Sequence, residues 1–241
     1  MLGVDRSWLF AHPTSCCSAE QKNRYLRLIQ RRASGEPFAY LVNQQSFWEQ
    51  EFFIGEGALI PRPDTERLIE IVLAAFGNEP KTVLDLGTGS GCIAVSLAKA
   101  RPSWCVYASD IESGALAVAK KNSKAAPNCS LIQSDWLKAI RPSSVDLIVS
   151  NPPYIAPDDP HLAGLSFEPQ SALVAEQNGY AAYTAILCEA HSVLTPSGTL
   201  VFEHGYEQQM ELTAMLEAAG FAAVGHKDLN GLPRVLVGTR S

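Results

Sequence analysis

Val83-Leu84-Asp85-Leu86-Gly87-Thr88-Gly89-Ser90-Gly91 decides the fold. An apolar run carrying one carboxylate leads into three glycines at alternate positions, and an apolar-periodic segment from Ile93 to Ala100 follows directly. The pattern predicts a buried strand, a tight turn and a helix. Such a turn lies at the carboxyl edge of an open sheet, where α/β folds bind ligands. Glycine lets the chain take unusual backbone angles there and lets a ligand rest on bare main chain; a strand-to-helix turn with no ligand is the plain alternative. A dinucleotide fingerprint, G-x-G-x-x-G, would need its third glycine at Cys92, but the glycine stands at Gly91, so that reading fails.

Outward from this loop, apolar strands alternate with helix-period segments. Strands are expected at Thr82 to Leu84, Val106 to Ala108, Ser130 to Gln133, Val145 to Val149, Thr199 to Glu203, Ala222 to His226 and Val235 to Gly238, with a further helix at Ala115 to Lys121. Alternation of this kind argues for crossover units and a mostly parallel seven-stranded sheet. Only the turn-rich Asp228-Leu229-Asn230-Gly231 separates the last two strands, too short for a crossover helix, so the last strand is expected to pair antiparallel. Before the sheet, residues 1–40 read as a small helical segment: Trp8, Leu9 and Phe10 cluster, Ser18 with Gln21 makes a capping box, and a helix through Arg32 would turn Tyr25, Leu26 and Ile29 inward until Gly35 and Pro37 stop it. Residues 41–64, with Gly55, Gly57 and Pro61-Arg62-Pro63, read as a hairpin or linker, and 65–241 as the sheet domain.

The 241 residues are 46% hydrophobic, enough for one core, and the net charge of −6 with a pI near 5.4 disfavours a nucleic-acid backbone as partner. Six scattered cysteines show no CxxC pair, and the five histidines show no metal or triad spacing; no metal site is expected, and the histidines read as surface or packing residues. Neither an apolar run of spanning length nor a basic-then-apolar leader is present, and a cytoplasmic protein is expected.

D-x-G-x-G-x-G, from Asp85 to Gly91, resembles the first motif of class I methyltransferases, whose ligand S-adenosyl-L-methionine carries an amino-acid group where a dinucleotide has phosphates. On that reading Gly87, Thr88, Gly89, Ser90 and Gly91 cradle the cofactor and Asp85 faces its ammonium. Asp110, at the end of the next strand, suits the ribose hydroxyls, the alternative being a helix cap. Asp135 and Trp136 end the third strand and can reach the adenine, with core filling the alternative for Trp136. Asn151-Pro152-Pro153-Tyr154 follows the apolar strand Asp146 to Val149 and therefore sits at the same edge as the glycine loop. The two prolines stiffen the turn and lack N–H donors, leaving the Asn151 side chain and nearby carbonyls as acceptors that suit a planar NH2 group. Tyr154 can stack on its flat face.

With these residues in hand, the chain resembles the protein-(glutamine-N5) methyltransferases that modify peptide chain release factors. The likeness runs through Gly35 to Tyr40, Leu59 to Glu66, Asp85 to Gly91, Asp146 to Ile155, Phe167-Glu168-Pro169, Ala172-Leu173, Glu203-His204-Gly205 and Arg234-Val235. It implies a Rossmann-like α/β methyltransferase fold and methyl transfer from S-adenosyl-L-methionine, leaving S-adenosyl-L-homocysteine, to the glutamine of a Gly-Gly-Gln loop held against Asn151, Pro152, Pro153 and Tyr154. Gly87 to Gly91, Asp110, Trp136 and Asn151 would contact the cofactor. Family members usually carry a longer amino-terminal helical domain, and the chain is expected to begin inside it. Arg62 and Glu66 could line the cleft, but a salt link at a helix start is the plainer reading. Two rival functions share the motifs: an adenine-N6 methyltransferase of DNA or RNA, for which a basic groove would be expected, and a cofactor-binding module without turnover.

Overall fold

The computed structural model describes residues 2–240 and divides after Asn43 into two compact units, each described here by itself. The first holds three short helices, α1 (Arg6–Ala11), α2 (Ala19–Ala33) and α3 (Phe38–Val42). Helix α2 begins where the capping box places it: Gln21 N–H donates to Ser18 Oγ (3.1 Å) and Ser18 N–H donates to Gln21 Oε1 (2.8 Å). Its expected inward stripe is not inward. Tyr25 is 52% exposed and Leu26 and Ile29 45% each, and α1 and α2 contain no buried residue. Three short helices cannot enclose a core of their own, so a stripe with helical period stays in contact with water. Phe38 to Val42, across the expected boundary between the helical segment and the hairpin or linker, forms α3, closed by Asn43 in the left-handed region.

The second unit starts with the hairpin β1 (Gln44–Phe47) and β2 (Gln50–Phe53). Trp48 and Glu49 turn it, both with positive φ (43° and 53°), as a two-residue turn matched to strand twist requires. Of the stretch read as a hairpin or linker, residues 44–64 belong to the sheet unit and open with a hairpin. Phe47, Phe52, Ile54, Ala58 and Ile60 are buried, and Asn122 grips Phe53 on both sides, accepting from its N–H (2.8 Å) and donating to its carbonyl (3.0 Å).

After α4 (Glu66–Ala75) come β3 (Thr82–Leu86), α5 (Cys92–Ala100), β4 (Cys105–Asp110), α6 (Ser113–Asn122), β5 (Cys129–Gln133) and β6 (Val145–Ser150). A left-handed turn, α7 (Glu176–Gly179), then leads to α8 (Ala181–Val193), β7 (Leu194–Glu203), α9 (Gln209–Ala218), β8 (Phe221–Lys227) and β9 (Pro233–Arg240). The seven-stranded sheet has the order β5-β4-β3-β6-β7-β9-β8, parallel except for β9, which runs antiparallel to both neighbours. The predicted mostly parallel sheet with an antiparallel last strand is what forms. Strand β3 is followed outward by β4 and β5, and the chain returns to lay β6 on its other side. This places the topological switch, and the crevice that goes with it, at the carboxyl ends of β3 and β6. One face of the sheet packs Leu84, Leu86, Ile148, Leu200 and Phe202 against Tyr183, Ile186 and Val193 of α8 and Leu212 and Leu216 of α9. Tyr183 meets Phe202 edge to face at 5.2 Å and donates its hydroxyl to the Glu203 carbonyl (2.9 Å). Among the described residues no helix is long and apolar enough to cross a membrane.

Candidate active site

The glycine loop takes a conformation that side chains would resist. Gly87, Gly89 and Gly91 all have positive φ (66°, 56° and 80°). A side chain at Gly91 would also meet Ala119 Cβ at 3.2 Å, whereas at Gly89 it would meet nothing within 4 Å, because that face of the loop opens on the crevice. Asp85 lies under the loop, fully buried: its Oδ2 accepts from Thr88 Oγ1 (2.6 Å) and Ala94 N–H (3.2 Å), while its Oδ1 is buried without a partner. Burial pushes its carboxyl up to about 7, against the pull of those two donors.

At the end of β4, Asp110 fastens the loop from the other side. Its Oδ2 accepts from Gly89 N–H and its Oδ1 from Glu112 N–H, both at 2.9 Å, and burial raises its pKa above the ordinary carboxylate range. It is not the cap of α6, whose N-cap position is Glu112. Beyond β5, Trp136 takes φ 46° and sets its ring beside Gly87, within 3.6 Å of where a Cβ would stand, and it also packs against the main core. Asp135 is ion-paired with Lys138.

Asn151 leaves β6 directly beside this loop; Ser150 Oγ, one residue earlier, donates to the Leu86 carbonyl (2.7 Å) and so ties the ends of β6 and β3 together. Asn151 Nδ2 donates to Thr65 Oγ1 (3.3 Å). Behind it stands Glu203 at the end of β7, buried, with Oε2 unpartnered. Burial pushes Glu203 up to about 7, opposed by hydrogen bonds from Thr65 and Asn151 and by the Arg234 charge. Tyr154 is half-buried against the core, its carbonyl accepts from Gln208 Nε2 (3.2 Å), and burial pushes its hydroxyl up to about 12. Gly179, with φ 89°, passes so close that a Cβ would lie 2.2 Å from the Tyr154 carbonyl oxygen. The chain beyond is held by Ile155, which pairs with Leu173 and Ala175 (both 2.9 Å).

These parts enclose one crevice, about 750 Å³ of empty space measured out to solvent. Of the residues expected from sequence, Gly87, Gly89, Asp110, Asp135, Trp136, Asn151 and Pro153 line it; Asp85, Thr88, Ser90, Gly91, Pro152 and Tyr154 are not part of that lining. Sequence reasoning missed Gly57, Ala58 and Leu59 on one wall and Ser171 and Ala172 on another. It assigned no role to Thr65 or Glu203 either, although both lie in stretches that carried the family likeness. The Arg62 reading is corrected: Arg62 pairs with Glu168, whose second oxygen accepts from Ile60 N–H (3.0 Å), while Glu66 accepts from Trp48 N–H (3.0 Å). The salt link joins two distant loops because Glu168 is buried and needs a cation, which Arg62 alone in that loop supplies.

Residues 1–42 match the family model described as PrmC N-terminal domain, and residues 65–164 match Methyltransferase small domain. The release factor glutamine methyltransferase of Salmonella typhimurium is 41% identical over 98% of this chain and 87% of its own length. That of Burkholderia pseudomallei is 43% identical over 97% and 86%. The chain belongs to the release factor glutamine methyltransferase family. As a member of this family it is a methyltransferase, and the crevice between the glycine loop and Asn151 lies at the strand ends where open α/β sheets bind ligands. Among solved structures, a ribosomal protein L11 methylase from Lactobacillus delbrueckii subsp. bulgaricus shares the fold with a TM-score of 0.58 at 20% identity, covering 75% of this chain and 80% of its own. A methyltransferase from Pyrococcus furiosus does so with a TM-score of 0.60 at 16% identity, covering 93% and 100%. Against relatives of such low identity, the family trait that singles out this chain is its agreement along nearly the whole length with the glutamine methyltransferases.

Proposed function

We propose that the chain methylates the side-chain amide nitrogen, N5, of the glutamine in the Gly-Gly-Gln loop of a peptide chain release factor, in the cytoplasm, with S-adenosyl-L-methionine as donor. The observation that carries the reading is Asn151: its Nδ2 is engaged by Thr65 at the carboxyl edge of β6, which leaves Oδ1 as an acceptor beside the glycine loop.

The crevice fits the cofactor by its own features. The open face at Gly89 admits a ligand against main chain, the unpartnered Oδ1 of Asp85 offers a buried acceptor to an ammonium, and Asp110, each of whose oxygens already accepts one backbone N–H, keeps a further lone pair on each for a pair of hydroxyls. Gly87, Thr88, Ser90 and Gly91 shape the cradle, and Asp135 and Trp136 border the end suited to an adenine. When bound, S-adenosyl-L-methionine supplies a methyl group on a positively charged sulfur and leaves as S-adenosyl-L-homocysteine.

The chain's own part is to make a poor nucleophile adequate. An amide nitrogen has its lone pair delocalised; accepting its two hydrogens at Asn151 Oδ1 and the Pro152 carbonyl holds the nitrogen in place and localises the pair on it, toward the methyl donor. Pro153 keeps the turn rigid, and one face of the Tyr154 ring is assigned to the flat side of the amide. The Tyr154 hydroxyl stays protonated at neutral pH, and the substrate nitrogen, once methylated, loses its proton to water without a dedicated base.

Transfer of radiolabelled methyl to purified release factor tests the reading. Label that disappears both with a Gln-to-Ala change in the Gly-Gly-Gln loop and with Asn151→Ala supports it. Label on DNA or RNA with none on release factor would replace it with adenine methylation, and cofactor binding without any transfer would leave a binding module.

A further inference from the structure

We propose that Thr65 and Glu203 are positioning residues that fix the orientation of the Asn151 amide, so that its oxygen and not its NH2 group meets the substrate nitrogen. The inference rests on the glutamine-methylation reading above and adds to it the device that sets the direction of the key hydrogen bond.

The two ends of an asparagine amide are equal in size and opposite in chemistry. Flipped, Asn151 would point donors at a substrate NH2 group, which is itself a donor, and the site would repel what it must hold. Packing cannot tell the two orientations apart; a hydrogen-bond chain with a fixed direction can. The register of the sheet builds one. Ser150 of β6 stands opposite Phe202 of β7, so the next residue along each strand brings Asn151 beside Glu203. Thr65, buried just ahead of α4, fills the space between them. Glu203 sits beside Thr65 and, in its ionised form, only accepts, so it claims the one hydroxyl proton Thr65 has. Its oxygen is then left to accept, and what it accepts is Asn151 Nδ2 at 3.3 Å. This contact selects the NH2 end of Asn151 for the interior and leaves Oδ1 for the crevice.

Glu203 is otherwise hard to account for. It is 1% exposed with one oxygen unpartnered, a costly arrangement for a carboxyl group. The nearest cation, Arg234, directs its ion pairs to Asp64 (3.4 Å) and Asp228 (3.5 Å) and hydrogen-bonds to the His204 carbonyl (3.3 Å). A neutral residue would serve a purely structural end of β7 at lower cost; a group that accepts when ionised is what the chain to Asn151 requires.

The test is steady-state methylation of release factor by full-length Thr65→Val, Thr65→Ser and Glu203→Gln enzymes, with cofactor affinity measured by calorimetry to establish that each is folded. Thr65→Val is expected to lower kcat by about tenfold or more, with KM for release factor and cofactor affinity changed by less than about threefold, as loss of an interaction made in the transition state does. Thr65→Ser, which keeps the hydroxyl, is expected to restore kcat to within about threefold of the parent. Glu203→Gln, which can donate toward Thr65 and reverse the chain, should fall with Thr65→Val. A double-mutant cycle separates positioning from mere support: in an Asn151→Ala background, Thr65→Val should have no further effect on kcat. Wild-type turnover by Thr65→Val, equal losses in the valine and serine variants, or an additive loss in the Asn151→Ala background overturns the inference while the function stands. A parent enzyme that labels no release factor sinks the function and the inference together.

Discussion

Asp85 combines complete burial, two hydrogen bonds to one oxygen and none to the other. Its pKa is raised by burial to about 7 from an ordinary value near 3.8, so the folded protein holds a proton that the unfolded chain gives up. Stability therefore declines as pH rises from about 4 to about 7 and levels off beyond, by a margin on the order of a few kcal/mol. Asp85→Asn can keep both donors on its amide oxygen and put NH2 where the orphaned oxygen was. Its melting temperature should exceed the parent's by a margin that grows between pH 4.5 and pH 7 and then stays constant, while cofactor affinity falls; a margin independent of pH would refute the assignment. At Gly179 the constraint is steric. Gly179→Ala would bring a Cβ to 2.2 Å from the Tyr154 carbonyl oxygen, far inside van der Waals contact, at a φ that L-residues avoid, and thermal or urea unfolding should show a loss of about 2 kcal/mol or more.

Asn122, at the end of α6, stands in for a strand. It makes both backbone hydrogen bonds to Phe53 and donates to the Ser90 carbonyl (2.8 Å), which joins the hairpin to the glycine loop. Asn122→Ala should cost about 2–3 kcal/mol, since it strands polar groups that are partly shielded from water, and should weaken cofactor binding because Ser90 loses its brace; unchanged urea midpoints would rule the brace out. Elements of this kind mark the limit of what sequence shows. The central strands β3, β6 and β7 are legible because they are runs of apolar residues buried on both faces, and the loop from Gly87 to Gly91 because its spacing is local. The wall formed by Gly57, Ala58 and Leu59 is small, chemically neutral side chains whose role comes only from where the fold puts them. Thr65 and Glu203 were hidden for another reason: each is ordinary alone, and only the pairing of β6 with β7 makes them partners of Asn151. The inward stripe of α2 misled because helical periodicity reports which residues share a face, not whether anything covers it.

The chain divides its charge unevenly. Residues 1–43 carry six basic and three acidic side chains, and the remainder thirteen and twenty-two, so the acidic balance belongs to the sheet unit. Every residue that lines the crevice lies between Gly57 and Ala172. A protein of residues 44–241 should therefore fold and bind cofactor within about threefold of full-length affinity; calorimetry decides this, and loss of binding would show that the helices contribute to the site. The position of β9 carries a different consequence. It is made after β7 and β8 and yet lies between them, hydrogen-bonded to both. During synthesis, two hydrophobic strands must wait with their facing edges bare until a third arrives to close the gap. That interval, set by translation and not by thermodynamics, is when the nascent chain is most open to mispairing with its neighbours.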